Sequence, residues 1–297
     1  MRKKSMRFPK SPLMGLIVLL LVVGSWLITQ LEQQKSAPNT VVDGDFYVRF
    51  IDVGQADAAL VYCEGKYMLI DGGNKDDSNV IYTVLKNTGI QELEIVVGTH
   101  AHEDHIGGLP GAFAYTTSRL TICPVMEYDS AAFQDFRKSA SEKGGGLVIP
   151  EEGDTYTLGG AQVTILAVNT YEDTNNTSIV LRVDYGKTSF LFTGDAERDV
   201  ERYLLDMEAE LDVTVLKVGH HGSSTSTSYT FLRECAPEYA IISCGEGNSY
   251  GHPHDEVVSR LSDAGVQMYR TDLLGDILCY SDGKMVWFTD SAGKKLS

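Results

Sequence analysis

The seven histidines of this 297-residue chain fall into three tight groups, and the grouping points to metal chemistry. The first group lies in Thr99-His100-Ala101-His102-Glu103-Asp104-His105-Ile106-Gly107-Gly108, where three His and one Asp occupy six residues. The second is the pair His220-His221, and the third is His252 and His254 on either side of Pro253. Neutral imidazole and carboxylate are the ligands of zinc and related divalent ions. Several such groups on one short turn can converge on a cation, which a lone histidine cannot do. A divalent ion held this way lowers the pKa of a bound water and supplies a hydrolytic nucleophile near neutral pH.

Each group needs an element to aim it. The apolar run 93–98 (LEIVVG) reads as a short buried strand, so the first group sits on a strand-to-helix loop. Gly107 and Gly108 let the following backbone close against that loop, and a helix is expected over 106–112. A strand over 213–218 leads to His220-His221, and one over 239–243 leads toward His252. Further strands are expected over 46–50, 58–63, 66–70, 120–125, 163–168, 178–184, 188–193, 267–269, 276–280 and 284–289. Helices are expected over 79–87, 131–141, 197–207, 229–235 and 256–264. Two β-rich halves, 46–125 and 161–290, would each supply part of one site. Strands in two series with helices between them imply two sheets packed face to face and covered by helices.

The sequence resembles the metallo-β-lactamase-fold hydrolases. His100-Ala101-His102-Glu103-Asp104-His105 carries their HxHxDH pattern, Leu69-Ile70-Asp71-Gly72-Gly73 their early Asp-Gly motif, and Phe192-Thr193-Gly194-Asp195 their strand-end Asp. Within that family the chain is most similar to the nuclease-like domain of the DNA-uptake protein ComEC and its stand-alone relatives. That similarity rests on Phe50-Ile51-Asp52-Val53-Gly54-Gln55-Ala56-Asp57-Ala58, Asn176-Thr177-Ser178-Ile179-Val180-Leu181, Leu216-Lys217-Val218-Gly219-His220-His221-Gly222-Ser223 and Tyr250-Gly251-His252-Pro253-His254. It spans about residues 46–290. Three departures stand out: no His occurs between 105 and 220, His102 stands where ComEC-like domains often have Asp, and Ala56 stands where Gly is usual.

The resemblance implies an αββα sandwich and two divalent metal ions, zinc or manganese. His100 and His102 would hold one ion, Asp104 and His105 the other, and Asp195 would bridge both. Each ion then needs a further nitrogen. His220 or His221 would supply the first in place of the absent family histidine, and His252 or His254 the second. Metals about 3.5–4 Å apart would share a hydroxide as nucleophile. Asp71 would orient the His loop by hydrogen bonds, and His221 would act on the leaving oxygen or clamp a phosphoryl oxygen. Asn175-Asn176 reads as a turn or a substrate contact, with Asn176 the candidate residue, and Ser223 is a candidate substrate contact. The Ser/Thr run 223–228 reads as a phosphate grip or as a helix N-cap. His254 reads as a loop contact, Glu103 as facing solvent, and Lys217 as facing a neighbouring strand or solvent.

Charge narrows the substrate. Against 25 Lys and Arg stand 41 Asp and Glu, a formal −16, and residues 36–297 alone carry −21. Such a body has no general attraction for nucleic acid, so a polyanion must be held by the metals. The reading is a phosphodiesterase or nuclease-like hydrolase, with DNA among its candidate partners. The alternatives are another ester or amide (a choline-phosphate ester, a lactone or a β-lactam), or a non-catalytic membrane-tethered binding module. The five cysteines are odd in number and form no CxxC, so a disulfide framework is not expected. Residues 13–28 are continuously apolar and follow five basic residues, which predicts a single-pass anchor with the body outside the cell membrane. The alternative is a cleaved signal and secretion. The organisation expected is an anchor over 1–31, a linker over 32–44, a hydrolase domain over 45–290 and a tail over 291–297.

Overall fold

The structure is a computed structural model that describes residues 44–169 and 171–296. The anchor and most of the linker expected from the sequence lie outside these residues. Among the described residues, no helix is long and apolar enough to cross a membrane.

Among the described residues, fifteen strands form two mixed sheets. The first six are β1 (Phe46–Phe50), β2 (Ala59–Cys63), β3 (Lys66–Ile70), β4 (Glu92–Val97), β5 (Thr117–Ile122) and β6 (Leu147–Val148). Then come β7 (Thr155–Leu158), β8 (Ala161–Ala167), β9 (Val180–Tyr185), β10 (Thr188–Phe192), β11 (Val215–Lys217), β12 (Tyr239–Ile242) and β13 (Gln267–Arg270). The last two are β14 (Ile277–Ser281) and β15 (Val286–Asp290). The first sheet has the order β15-β14-β1-β2-β3-β4-β5-β6 and the second β13-β12-β11-β10-β9-β8-β7. In each, an antiparallel portion gives way to parallel strands: β3 to β6 in the first sheet, β10 to β13 in the second.

The central strands are buried on both faces, which is why they read as near-continuous apolar runs. In β4, Ile95 and Val97 face the layer between the sheets, while Leu93 and Val96 face the helices outside. In the second sheet Phe190, Phe192 and Val215 point to the same inner layer, whereas Leu191 and Leu216 face the other set of helices. The helices α1 (Ser78–Thr88), α2 (Glu103–Ile106), α3 (Leu109–Tyr115) and α4 (Ala131–Lys143) belong to the first side. On the second side lie α5 (Arg198–Asp206), α6 (Tyr229–Cys235) and α7 (Asp255–Asp263), with the short α8 (Thr271–Leu274) following β13. The result is four layers, helix–sheet–sheet–helix. All five cysteines are buried and free.

Four expectations need correction. The last two strands do not complete the second half; β14 pairs with β1, so the chain returns to its first sheet. The strand expected over 120–125 is β5, which stops at Ile122 where its parallel ladder with β4 ends, ahead of Pro124, which has no N–H to donate. The short β6 and β7 were not expected. The helix expected over 106–112 is two helices, with Gly107 and Gly108 between them. A Cβ on Gly108 would lie 1.9 Å from the carbonyl oxygen of Gly72, so only glycine lets the metal loop and the Asp71 loop touch. Gly108→Ala is expected to lower the thermal midpoint by about 5 °C or more; unchanged melting of that variant would show that the contact yields without cost.

Candidate metal centre

The carboxyl ends of parallel strands are where open α/β sheets place their ligands. Here Asp71 follows β3, the 99–105 loop follows β4, Asp195 follows β10, and His220-His221 follow β11. Among the described residues, three clusters of ligand-type side chains form here: Asp57, Asp71 and His105 in one, and two more that share Asp195. Of those two, His100, His102 and Asp195 form one; Asp104, His105, Asp195 and His221 form the other. The two oxygens of Asp195 divide between them. Oδ2 lies 3.8 Å from His100 Nε2 and 3.5 Å from His220 Nε2, while Oδ1 lies 3.1 Å from His105 Nε2 and 3.8 Å from His221 Nε2. His221 Nε2 is also 3.4 Å from Asp104 Oδ2. A tetrahedral ion with bonds of about 2.0–2.1 Å holds its donor atoms roughly 3.3 Å apart, so these spacings fit.

The buried polar atoms supply a second test of fit. His105 Nε2, His221 Nε2 and Asp195 Oδ1 are buried and make no hydrogen bond. Leaving three such atoms unsatisfied in one place is costly unless a cation pairs with them. The other nitrogen of each imidazole is occupied. His105 Nδ1 lies 2.8 Å from Asp71 Oδ2, and Asp71 also accepts from the Thr99 backbone N–H at 2.8 Å and the Thr99 hydroxyl at 2.7 Å. His221 Nδ1 is held at 3.1 Å by the Ser243 carbonyl, with Asp57 Oδ1 at 3.5 Å. An acceptor behind Nδ1 leaves Nε2 as the ligating atom.

Electrostatics agree. Burial pulls the His221 pKa down, but the Asp195 and Asp57 carboxylates outweigh it and push it up to about 10. At His105 burial likewise lowers the pKa, and Asp195 and Asp71 outweigh it and raise it well above its ordinary value. Asp195 is itself held well below the usual carboxylate range: burial would raise it, and the charges at His105 and His221 win. Asp104 is lowered to about 2, burial again being outweighed, chiefly by His221 at 3.4 Å and by the charge at His105. His100 moves well below its ordinary value because it is buried and faces His105. A cation binds these imidazoles in their neutral form, so its affinity should fall as pH drops.

Three backbone positions show what fixes this geometry. Asp71, His220 and His221 have φ of +58°, +49° and +53°, the left-handed region that costs a non-glycine residue about 1–3 kcal/mol. Two such residues in succession send the neighbouring rings different ways: His221 is 1% exposed and turns inward, whereas the His220 side chain is 22% exposed. The structure therefore brings His221, and not His252, into the Asp104 group. His252 lies outside both groups; its Nδ1 is 3.3 Å from Gln55 Nε2, and burial pushes its pKa down to about 4.

Other candidates serve the loops. Asn176 is buried and its Oδ1 accepts from the Glu197 N–H, fixing the turn after Asp195, so it is Asn175 that lines the cleft. Ser223 contacts the Thr225 hydroxyl, and His254 Nδ1 accepts from the Ser224 N–H at 2.9 Å. Ser228 caps α6 through the Phe231 N–H. The rest of the 223–228 run is held from within the protein: Glu201 accepts from the N–H groups of Thr227 and Ser228, while Arg260 donates to the carbonyls of Ser226 and Thr227.

Lys217 is neither solvent-facing nor idle. It has the same strand parity as Val215, so it points into the inter-sheet layer, where it is buried. There its Nζ donates to Asp57 Oδ2 at 2.8 Å and to the Val218 carbonyl at 3.0 Å. Asp57 in turn donates its backbone N–H to the Asp104 carbonyl at 3.1 Å. The sequence reading missed Asp57. The signal was there: one lysine inside the apolar run Val215-Leu216-Lys217-Val218 requires a buried carboxylate partner.

Residues 51–246 match the family described as the Metallo-beta-lactamase superfamily. ComE operon protein 3 of Bacillus subtilis is 29% identical over 250 residues, covering 77% of this chain and 32% of that protein. Recombination protein 2 of Haemophilus influenzae is 34% identical over 239 residues, covering 77% of this chain and 27% of that protein. The chain thus spans about a third of the length of the curated relatives it matches. The crystal structure of YhfI, a metallo-beta-lactamase fold protein from Bacillus subtilis, shares the fold at a TM-score of 0.50 and 14% identity, covering 76% of this chain and 95% of that one.

Proposed function

The chain belongs to the metallo-β-lactamase superfamily, and on that premise we propose that it is a hydrolase of phosphodiesters that works with two divalent ions, zinc or manganese. The observation that carries the reading is the divided carboxylate of Asp195, one oxygen toward each histidine group. His100 and His102, with His220 beside them, would hold one ion; Asp104, His105 and His221 would hold the other. When bound, the ions activate water as the nucleophile and neutralise charge developing on phosphoryl oxygens. This chain's residues do the positioning. Asp71 and the Ser243 carbonyl fix the His105 and His221 rings, and the loops 99–105 and 219–222 bring the two groups within one cleft of about 360 Å³. His220, whose Nδ1 lies 3.2 Å from the Thr225 hydroxyl, keeps Nε2 turned to Asp195 and the site of the first ion.

The choice of a phosphodiester draws on relatives that are named as competence and recombination proteins. Tethering outside the membrane through residues 13–28 draws on the basic flank of that apolar run. The test is hydrolysis of bis-p-nitrophenyl phosphate by the full chain loaded with Zn²⁺ or Mn²⁺, with DNA, a choline-phosphate ester, a lactone and a β-lactam alongside. Phosphodiester turnover that chelation abolishes and metal restores is expected. Cleavage of another ester or amide alone would reassign the substrate, and metal binding without turnover of the whole panel would leave a binding module.

A further inference from the structure

The cleft has an aromatic edge that the proposed hydrolysis does not use. Three rings lie nearly parallel from the metal centre outward. His221 and His252 have centroids 6.3 Å apart at 23°, and His252 and Tyr250 have centroids 5.6 Å apart at 23°. Tyr250 ends the series, lines the same cleft, and is 67% exposed. Its loop is fastened. Asn248 Oδ1 accepts the N–H groups of both Tyr250 and His252, its Nδ2 donates to the carbonyls of Gly245 and His252, and Gln55 reaches across to the Gly245 N–H and the His252 ring. A large exposed ring on a backbone fixed by so many bonds, with an imidazole stacked beside it, is a prepared stacking surface, because the loop is ordered before anything binds.

The charge of the chain says what this surface is for. At a formal −16, the protein cannot hold a nucleic acid by neutralising a run of phosphates. Affinity beyond the single phosphate at the metals must come from contacts that carry no charge, and base–aromatic stacking is the one nucleic acids offer at every position.

We propose that Tyr250, backed by His252 and fixed by Asn248, is a stacking subsite for an unpaired nucleobase one or two nucleotides from the phosphate under attack. This deepens the phosphodiesterase reading and rests on it. Bases inside a duplex have no free face to offer, so the subsite selects short or single-stranded substrates.

The experiment compares the dinucleotide d(TpT) and the trinucleotide d(TpTpT) with analogues in which one base is replaced by hydrogen. It uses the metal-loaded full chain with Tyr250, Tyr250→Phe and Tyr250→Ala, and measures binding of thymidine 5′-monophosphate by saturation-transfer NMR in parallel. KM for at least one base-bearing substrate should be about tenfold lower than for its base-free analogue. Tyr250→Phe should keep that ratio, Tyr250→Ala should bring it close to one, and KM should depend only weakly on salt. Hydrolysis with the ratio unchanged in Tyr250→Ala overturns the subsite and leaves the phosphodiesterase reading standing. Tyr250-dependent nucleotide binding without hydrolysis supports the subsite and overturns the phosphodiesterase reading. Neither hydrolysis nor nucleotide binding overturns both.

Discussion

Asp195→Ala is expected to strip both ions from the protein and to lower kcat/KM by on the order of 10³ or more, because one side chain faces both histidine groups. The expectation follows from how its oxygens are shared. Oδ1 stands 3.1 Å from His105 Nε2, and Oδ2 stands 3.5 Å from His220 Nε2. Any other ligand should, when removed, cost mainly its own group: His102→Ala the first, Asp104→Ala the second. Elemental analysis of the three purified variants separates these patterns. Asp195→Asn keeps the shape and one acceptor oxygen while losing the charge, so it should fall between Asp195→Ala and the native protein in metal content. A single tightly held ion at full activity in Asp195→Ala would end the two-ion reading.

Lys217→Met should cost about 3–5 kcal/mol of stability, since it leaves the Asp57 carboxylate buried without its cation. In a domain of this size that is roughly 10 °C in the thermal midpoint. The sign with pH is fixed by Asp57. Burial would raise its pKa, but Lys217 and His221 hold it below the usual range. A carboxyl whose folded pKa is depressed stabilises the fold above its unfolded pKa, near 3.9, and loses that contribution as pH falls through the folded value. The native protein should therefore keep the pair's contribution at neutral pH and down to mildly acidic pH, and the gap between native and Lys217→Met should close in strong acid. The double variant Asp57→Leu with Lys217→Met removes both charges, so it should recover much of the lost stability. It should not recover metal affinity in the Asp104 group, expected to remain weakened by about 10–100-fold, because Asp57 also stands behind His221. Full recovery of both would reduce Asp57 to a packing role.

What could be read from the sequence was mostly local. The 99–105 loop, the 59–70 hairpin and the Ser228 cap are each set by neighbours a few residues away. So is the placement of Asp71 just beyond β3, from where it meets His105. What could not be read depends on distant partners or on the backbone itself. Lys217 meets Asp57 across 160 residues, and β14 finds β1 across more than 200. Which of His220 and His221 turns inward is decided by two left-handed φ angles that sequence patterns do not announce. His252, expected as a ligand, lines the metal cleft, yet its ring lies against Gln55 and Tyr250 and outside the Asp104 group.

The pairing of β14 with β1 bears on how such a domain can be carried in a larger protein. Phe46 lies opposite Ser281 in that ladder, and Ser281 lies opposite Val286 in the next. Past Asp290 the chain doubles back, with Thr289 bridged to Lys295 and Leu296 bonded to Phe288. The strand that opens the domain and the segment that closes it thus run three ladder spacings apart, on the order of 15 Å, on the same side of one sheet. A host polypeptide could leave its own fold at Phe46 and resume it after Leu296 with almost no detour. The domain would then behave as a cassette, transferable between a long chain and a short one with its cleft, at the far ends of the inner strands, left undisturbed.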